Sequence, residues 1–259
     1  MRSSTSRPPG HRSGAGPAPI DSPGNEVVRR LRRLGRRREP GAVLLEGPRV
    51  VQEAVAAGVA LDVLAVREDV PFRAPAAHAH LLTRRAAAAA GQTVTPQGVL
   101  AIGRRDEVGV GEALAAARAA GWPLVVLDGV QDPGNVGTIC RTAAAAGAPA
   151  LCVLDEGADP LGAKAVRASA GHVFRLQVAR ATWADLAHVP GYAAVARGGA
   201  SPERIDPARA GLLVLGSETH GIRRPDLEPV TISTAEGVES LNVAAAAAVL
   251  LFEFRRRIA

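Results

Sequence analysis

A polar segment follows an apolar, strand-like run within residues 127–148, and its residue types could bind an anion. Asn135 is placed to cap the helix that follows the turn at 132–134, and Arg141 lies on that helix. Helical side chains point back toward the helix start, so the guanidinium of Arg141 can reach over the turn. An arginine near a helix N-terminus forms a strong anion site. An ordinary capped helix with a surface arginine is the alternative.

A second polar loop begins directly after the buried strand predicted at 212–216. Glu218 lies in this loop between Gly216 and Gly221. Parallel α/β sheets bind their ligands at the carboxyl ends of the strands, so an acid in this position would face a cleft. The alternative is a loop acid that simply faces solvent.

A third polar loop ends in Ser240-Leu241-Asn242 and leads into an alanine-rich helix predicted at 241–257. Either Ser240 or Asn242 can cap this helix. The alanine run lets the helix approach its neighbours closely. The arginines at 255–257 lie at the helix C-terminus, where the helix dipole favours cations, so they need no functional explanation.

The composition of the 259 residues excludes several classes of protein. A hydrophobic content of 47% excludes a disordered acidic regulator. The only lysine, Lys164, follows no G-x-x-x-x-G run, which argues against a P-loop enzyme, and an aromatic content of 3% argues against RNA reading by stacked rings. Cys140 and Cys152 form no metal-binding pair, and we expect no metal. Without an apolar span or signal core, a cytoplasmic location is expected.

The positive charge is concentrated at one end of the chain. Residues 1–38 hold ten arginines against Asp21 and Glu26, whereas the other 221 residues carry 21 basic and 23 acidic side chains. Clustered cations bind phosphate backbones by releasing counterions, so a polyanion such as nucleic acid is the expected partner. A GC-rich coding sequence that raises the arginine content everywhere is the alternative explanation.

Alternating apolar runs and helical patterns predict an α/β fold in four parts. Residues 1–24 form a disordered arm rich in Pro, Gly and Ser, and 25–103 form a small α/β domain with a basic first helix at 25–38. Residues 104–121 form an alanine-rich helix or linker. Residues 122–259 form a parallel sheet covered on both faces. The elements predicted for this last part are strands at 124–128, 149–154, 173–178, 192–196, 212–216 and 230–233, and helices at 136–146, 163–170 and 241–257.

Three strings resemble the motifs of the SpoU family within the SPOUT superfamily, the trefoil-knotted RNA 2′-O-methyltransferases. They are DPGNVGTICRTAAAAGA, LVLGSETHGI and ISTAEGVESLNVAAAAAVLLFE, which carry N-V-G-x-x-x-R, G-S-E-x-x-G and S-L-N in the order typical of that family. EGPRVVQEAVAAG and TPQGVLAI resemble the L30e-type substrate-binding domain that precedes many such catalytic domains. The resemblance covers roughly residues 40–259. One departure is Ser233-Thr234, where the family usually has Pro-Met.

The resemblance implies that residues 122–259 form a trefoil-knotted SPOUT domain that binds S-adenosyl-L-methionine in a bent conformation. By the family pattern, the cofactor contacts the backbone at Gly216, Ile232 and Leu241. Such enzymes are generally homodimers in which the partner chain completes each site. The positions usually assigned to catalysis or substrate positioning are occupied here by Asn135, Arg141, Glu218, Ser240 and Asn242.

The reaction implied is methyl transfer to a ribose 2′-hydroxyl, and Arg141 is the residue whose role needs a physical argument. A guanidinium is effectively always protonated, so Arg141 is a poor general base. We expect it to clamp the adjacent phosphate and to stabilise the developing alkoxide. Asn135, Glu218 and Ser240 would hold the reacting groups in register, while the proton leaves through phosphate or water.

The L30e-like domain favours structured RNA as the substrate, with ribosomal RNA favoured over transfer RNA. One alternative is a non-catalytic RNA-binding relative with the same fold, against which the presence of all three motifs argues. Another is an unknotted α/β nucleotide-binding enzyme, which would need a G-x-G-x-x-G turn that the sequence lacks. Within the favoured class, the sequence does not distinguish housekeeping modification from self-protection against a ribosome-targeting antibiotic.

Overall fold

In the computed structural model, two β-sheets and their helices make up most of the described part of the chain, which is residues 18–93, 95–154, 156–206, 209–217, 222, 224 and 226–258. The elements of the N-terminal sheet and its helices are α1 (Glu26–Arg36), β1 (Ala42–Glu46), α2 (Pro48–Ala56), β2 (Leu61–Arg67), β3 (His78–Leu82), α3 (Arg84–Ala90) and β4 (Val99–Arg104). The strand order is β1-β4-β2-β3. Strand β4 runs antiparallel to both β1 and β2, and β3 runs parallel to β2.

Capping and apolar spacing account for the first helix. The Asn25 side chain accepts a hydrogen bond from the backbone N–H of Val27 at 2.9 Å and caps the N-terminus of α1. Val28, Leu31 and Leu34 recur at helical spacing and are buried. The helix predicted at 25–38 is therefore confirmed, with its last turn ending two residues earlier than predicted.

The C-terminal sheet has the strand arrangement that the apolar runs predict. Its elements are α4 (Val110–Ala119), β5 (Leu124–Asp128), α5 (Pro133–Ala146), β6 (Ala150–Leu154), α6 (Ala163–Ala168), β7 (Gln177–Ala181), β8 (Gly191–Ala194), β9 (Leu212–Gly216), β10 (Glu228–Val230) and α7 (Val243–Ile258). The strand order is β10-β8-β9-β5-β6-β7, and every neighbouring pair is parallel. The α/β class with a parallel sheet is confirmed.

Helices cover both faces of this sheet. Apolar side chains of α5 and α7 pack with Val125 and Leu127 of β5 on one face, whereas Ala113 and Ala117 of α4 pack with Val126 on the other. Strands β5 and β6 are consequently buried along their whole length. The segment predicted as an alanine-rich helix or linker at 104–121 thus supplies a helix that belongs to the packing of this sheet.

Two strand predictions in this region need correction. Residues His172–Arg175 form a single 3₁₀ turn and β7 begins at Gln177, so the strand predicted at 173–178 is displaced. Val173 and Phe174 are buried in the shared core, so their apolar character reflects packing of a turn rather than of a strand. Strand β10 ends at Val230 rather than continuing to 233.

The N-terminal arm predicted at 1–24 needs a shorter boundary. Ile20 pairs with the exposed edge of β3: its N–H donates to the Leu81 carbonyl at 2.8 Å, and its carbonyl accepts from the N–H of Thr83 at 2.9 Å. Asp21 accepts a hydrogen bond from the Thr83 hydroxyl at 2.8 Å. The single bridge at Ile20 therefore ties this part of the chain to the open edge of β3.

Buried and half-buried ion pairs join the N-terminal sheet to the C-terminal one. Glu46, at the end of β1, is 6% exposed and binds Arg167 of α6 at 3.1 Å. Arg38 binds Asp159 at 2.8 Å and Glu107 at 2.9 Å. The apolar core also runs from α2 to α5 without interruption. The two sheets are therefore packed directly against each other.

Among the described residues, no helix is long and apolar enough to cross a membrane. The same residues contain no group of three or more His, Cys, Asp and Glu side chains that could hold a metal ion. The trefoil knot implied by the family resemblance stays a prediction.

Candidate active site

The loops that follow β5 and β9 meet at one edge of the parallel sheet. Asp128, the last residue of β5, lies in register with Gly216, the last residue of β9. The backbone N–H of Ser217 donates to the Asp128 carbonyl at 3.0 Å, which ties the two loops together. Since β8 pairs with the other side of β9, its end opens onto the same edge. This edge is where ligands of parallel sheets bind.

A cavity of about 230 Å³ opens at this edge, between the ends of β8, β9 and β10 and the first turns of α7. Its wall contains all three residues predicted to contact the cofactor, together with one predicted catalytic residue: Gly216, Ile232, Leu241 and Ser240. Most of the remaining wall is apolar or backbone, and it includes Ala194, Val195, Leu215, Val230, Val243, Ala246 and Leu250. Such a wall suits a flat, largely apolar group that is held by backbone hydrogen bonds.

Two of the predicted catalytic residues contact each other beside this cavity. The Asn242 side-chain amide lies 3.3 Å from the Asn135 side-chain oxygen and donates to it. Asn242 also accepts a hydrogen bond from the N–H of Ala244 at 2.9 Å, which confirms it as a cap of α7. The contact joins the first turn of α5 to the start of α7 across 107 positions of sequence.

Asp132, rather than Asn135, caps α5. The Asp132 carboxylate accepts from the N–H of Asn135 at 2.9 Å, and Lys164 binds the same carboxylate at 3.0 Å. These two interactions, the backbone hydrogen bond first, lower the pKa of Asp132. The predicted capping role of Asn135 is wrong because Pro133 fills the first helical position and places the cap at Asp132. The Asn135 side chain is thereby available for Asn242.

Arg141 lies on the exposed face of α5, in the second turn after Asn135. Within the described part of the chain, it takes part in no hydrogen bond or ion pair, so its guanidinium can bind an incoming anion. Thr138, one turn earlier on the same face, donates its hydroxyl to the Gly134 carbonyl at 2.9 Å. Arg141 therefore contributes an unneutralised positive charge on the helix that carries Asn135.

Gly137 lets α5 pack closely on α6. A Cβ at this position would clash with the Ala165 carbonyl oxygen and with the Ala168 side chain. Because glycine has no side chain, the backbones of α5 and α6 can approach each other closely at this position. This packing fixes the position of α5 between Asn135 and Arg141.

Ser240 is exposed at the mouth of the cavity, and Glu218 lies outside the described residues. Sequence reasoning missed the loop after β8, where Val195 and Ala196 line the cavity, and it missed Ala246 on α7. The loop could have been found, because every strand of a parallel sheet ends at the same edge. Ala246 could not have been found in this way, because nothing in the sequence distinguishes it from the other alanines of the run.

A model of the SpoU rRNA Methylase family matches residues 123–252. The chain belongs to this family. Its N-terminal part matches a model of the MRM3-like substrate binding domain over residues 25–101. The matched residues include the parallel sheet, the cavity wall and both asparagines of the Asn135–Asn242 contact. As a member of this family, the chain is a methyltransferase.

SpoU-family relatives align over nearly the whole chain. An uncharacterized tRNA/rRNA methyltransferase of Synechocystis is 32% identical, over 93% of this chain and 94% of its own length. The 23S rRNA (guanosine(2553)-2′-O)-methyltransferase RlmP of Bacillus subtilis is 31% identical, over 91% of this chain and 98% of its own. The AdoMet-bound rRNA methyltransferase from Sinorhizobium meliloti superposes with a TM-score of 0.77 at 27% identity, covering 93% of this chain and 98% of that one.

Proposed function

We propose that this SpoU-family enzyme transfers a methyl group from S-adenosyl-L-methionine to a ribose 2′-hydroxyl in ribosomal RNA. The observation that carries the proposal is the Asn135–Asn242 contact beside a cavity lined by Gly216, Ile232 and Leu241. The Bacillus subtilis relative is a ribose methyltransferase of 23S rRNA, and the Sinorhizobium meliloti structure contains AdoMet. We assign methyl transfer to residues 122–259 and RNA binding to 25–103, and the cytoplasmic location and trefoil knot belong to the same proposal.

The cavity fits the cofactor that the family uses. Gly216, Ile232 and Leu241 line the cavity and would hold the cofactor through their backbone groups, while Ala246 leaves space where a larger side chain of α7 would intrude. The apolar wall favours burial of the flat base. When bound, S-adenosylmethionine supplies an electrophilic methyl group on a positively charged sulfur.

Arg141 has the charge and exposure needed to hold the RNA at the reacting nucleotide. Its guanidinium is planar and permanently charged, so it can clamp the adjacent phosphate with two hydrogen bonds and stabilise negative charge on the 2′-oxygen. It cannot accept the hydroxyl proton at neutral pH. That proton leaves through phosphate or water.

The remaining predicted residues position the reacting groups. Asn135 and Asn242 hold the start of α5 against the start of α7, so the Arg141 helix keeps a fixed place relative to the cavity. Ser240 lies at the cavity mouth, where its hydroxyl can bind the ribose. Glu218 completes the predicted set and follows Ser217, whose backbone is tied to Asp128. In-line alignment of the 2′-oxygen with the methyl group is the main catalytic effect.

The active form in this proposal is a homodimer. Val249 and Phe252 are 44% and 49% exposed and lie one turn apart on α7, so they form an apolar stripe. Helix α7 packs against α5, which carries Arg141. A second copy seated on this stripe would bury it beside Arg141. Sedimentation of the full chain should give a dimer at micromolar concentration, and a monomer would contradict this part of the proposal.

The test of the activity is to incubate the purified chain with methyl-labelled S-adenosylmethionine and separate pools of unmodified ribosomal and transfer RNA. We expect label in ribosomal RNA at a nucleotide that resists alkaline cleavage, because a 2′-O-methyl group removes the attacking hydroxyl. Label confined to transfer RNA would mean that the substrate is transfer RNA and not ribosomal RNA. Label on a base, or no labelling of either pool together with no cofactor binding by calorimetry, would overturn the proposal.

A further inference from the structure

Helix α1 is amphipathic, and its outward face consists of arginine. Val28, Leu31 and Leu34 are buried against the N-terminal sheet. On the other side, a shallow groove of about 300 Å³ is lined entirely by arginines. We call these residues the arginine face: Arg29, Arg32, Arg33, Arg36 and Arg37.

Most of the positive charge on this face is not neutralised by the part of the chain that the structure describes. The exception is Arg33, which forms an ion pair with the Glu39 carboxylate at 2.8 Å. Among the described residues, Arg29, Arg32 and Arg36 have no ion-pair partner. These three lie at spacings of three and four, so they form a line about 10 Å long on one side of the helix.

Helix stability does not explain this line of charge. Like charges three or four residues apart destabilise a helix. The helix dipole favours cations in the last turn, which accounts for Arg36, but it disfavours Arg29 in the first turn and does not favour Arg32, which lies near the middle of α1. An anion bound along the face would offset both costs.

The arginine face belongs to a helix that contacts α6, and α6 packs against α5. Ala163 at the start of α6 packs against the apolar cluster that contains Val28 and Leu31 of α1. The next residue, Lys164, binds Asp132 at 3.0 Å and so marks the start of α5. Helix α1 thus lies one helix away from the first turn of α5, so we expect an RNA strand bound to the arginine face to continue toward that turn.

We propose that the arginine face of α1 binds the sugar-phosphate backbone of the substrate RNA and presents the RNA to the strand-end site. The inference rests on the proposed function and adds a specific contact surface to it. Guanidinium groups bind phosphates with two hydrogen bonds, and a line of them follows a phosphate chain. The face carries no aromatic ring, so the contact reads the backbone and not the bases.

The test is a triple substitution with a matched control. The variant R29Q/R32Q/R36Q removes three charges from the face, and R118Q/R204Q/R257Q removes three exposed arginines that lie outside residues 25–103. Binding of an unmodified 23S rRNA transcript is measured by filter retention from 50 to 300 mM salt. Calorimetric titration with S-adenosylmethionine, run in parallel, checks that the fold is intact.

We expect the face variant to bind RNA about 10-fold more weakly at the lowest salt, and its log–log salt slope to fall by about 2 to 3, because each lost phosphate contact removes about 0.7 to 0.9. The control should change the slope by less than about 1. A lysine triple, R29K/R32K/R36K, should restore the slope. Cofactor affinity should stay within about twofold in all variants.

Three results would overturn the proposal: an equal loss in the control variant, an unchanged slope in the glutamine variant, or failure of the lysine variant to restore binding. A fourth is preferential binding of the face to acidic peptides or anionic vesicles over RNA. Because RNA binding is measured without methyl transfer, a wild-type chain that binds RNA through α1 but methylates nothing would contradict the proposed function alone.

Discussion

The two sheets of this molecule place their functional groups differently because their strands run differently. In the C-terminal sheet every pairing is parallel, so β5, β8 and β9 end at one edge and their loops converge on a cavity. In the N-terminal sheet β4 opposes both neighbours, and the strand ends are divided between two edges. That sheet instead supports a helix whose exposed face is arginine. The strand directions thus give one sheet a concave apolar site and leave the other with an open, charged helix surface.

Because the two regions differ in this way, substitutions in them should have separable effects. The strand-end site combines a cavity of about 230 Å³ with Arg141 on α5, which pairs with none of the described residues, and the two are suited to alignment and charge stabilisation. The arginine face is shallow and open, which is suited to salt-sensitive binding. Changes at the first should lower the rate of transfer, and changes at the second should weaken RNA binding.

The largest effect is expected from Arg141→Ala. Loss of the phosphate clamp and of charge stabilisation should reduce kcat by about 10²- to 10³-fold. Cofactor affinity should be unchanged because Arg141 does not line the cavity. Steady-state methylation assays check this, and Arg141→Lys serves as the control for a simple charge requirement. If the lysine variant kept nearly full activity with unchanged RNA affinity, the two-bond clamp would be wrong.

The next effect is expected from filling the cofactor cavity. Ala246→Phe places a ring in a space of about 230 Å³, so S-adenosylmethionine affinity should fall by about 100-fold while RNA affinity is kept. Calorimetry measures the first and filter binding the second. Ala115→Phe, on the exposed side of α4, is the control for adding a ring to the surface. Undiminished cofactor binding by the Ala246 variant would show that the cofactor binds elsewhere.

A smaller effect is expected at the ion pair that joins the two sheets. Glu46→Gln leaves half-buried Arg167 without its carboxylate, and it weakens the bonds that Glu46 accepts from Gln92 and Thr93. The free energy of unfolding should drop by about 1 to 2 kcal/mol.

Denaturant titration measures this drop, and Glu53→Gln is the control. Glu53 also crosses between the sheets, to Arg175 at 2.9 Å, but both partners of that pair are more exposed. Its loss should cost less than about 0.5 kcal/mol. Equal losses in the two variants would mean that burial of Glu46 adds nothing.

The smallest effect is expected from the N-terminal arm. Removing residues 1–17 takes away three arginines and should weaken RNA binding a few-fold and lower its salt slope, with cofactor binding unchanged. Removing residues 1–24 should also reduce thermal stability, because Ile20 pairs with the edge of β3. Salt-dependent filter binding and thermal melts check these outcomes. A parallel loss of cofactor and RNA binding with the shorter deletion would contradict the division between the regions.

Much of this architecture could be predicted from the sequence, for identifiable physical reasons. The runs at 124–127 and 212–215 are apolar at every position, so they predict strands covered on both faces. Asn242 was a correct cap because a short polar side chain precedes a long alanine helix. The cofactor residues Gly216, Ile232 and Leu241 came from family motifs, and they line one cavity although they are distant in sequence.

The rest depended on tertiary contacts that local patterns do not carry. Val173 and Phe174 are apolar because a 3₁₀ turn is buried in the shared core, and a few apolar residues do not distinguish a turn from a strand. Asn135 is a reasonable cap by residue type, but Asp132 before Pro133 is the better one. The side chain of Asn135 instead contacts Asn242, which is 107 positions away in sequence. The pairing of Glu46 with Arg167 joins two elements whose proximity is set only by the packing of both sheets.

Single-turnover methyl transfer at saturating RNA most directly separates the role of Arg141 in transfer from the role of the arginine face in RNA binding. The substrates are labelled S-adenosylmethionine and an unmodified 23S rRNA transcript. We predict that the wild-type chain and R29Q/R32Q/R36Q reach the same limiting rate, the latter only at higher RNA concentration. Arg141→Ala should bind the RNA within about threefold of wild type and transfer about 10²- to 10³-fold more slowly. Equal limiting rates for Arg141→Ala and wild type would contradict the account.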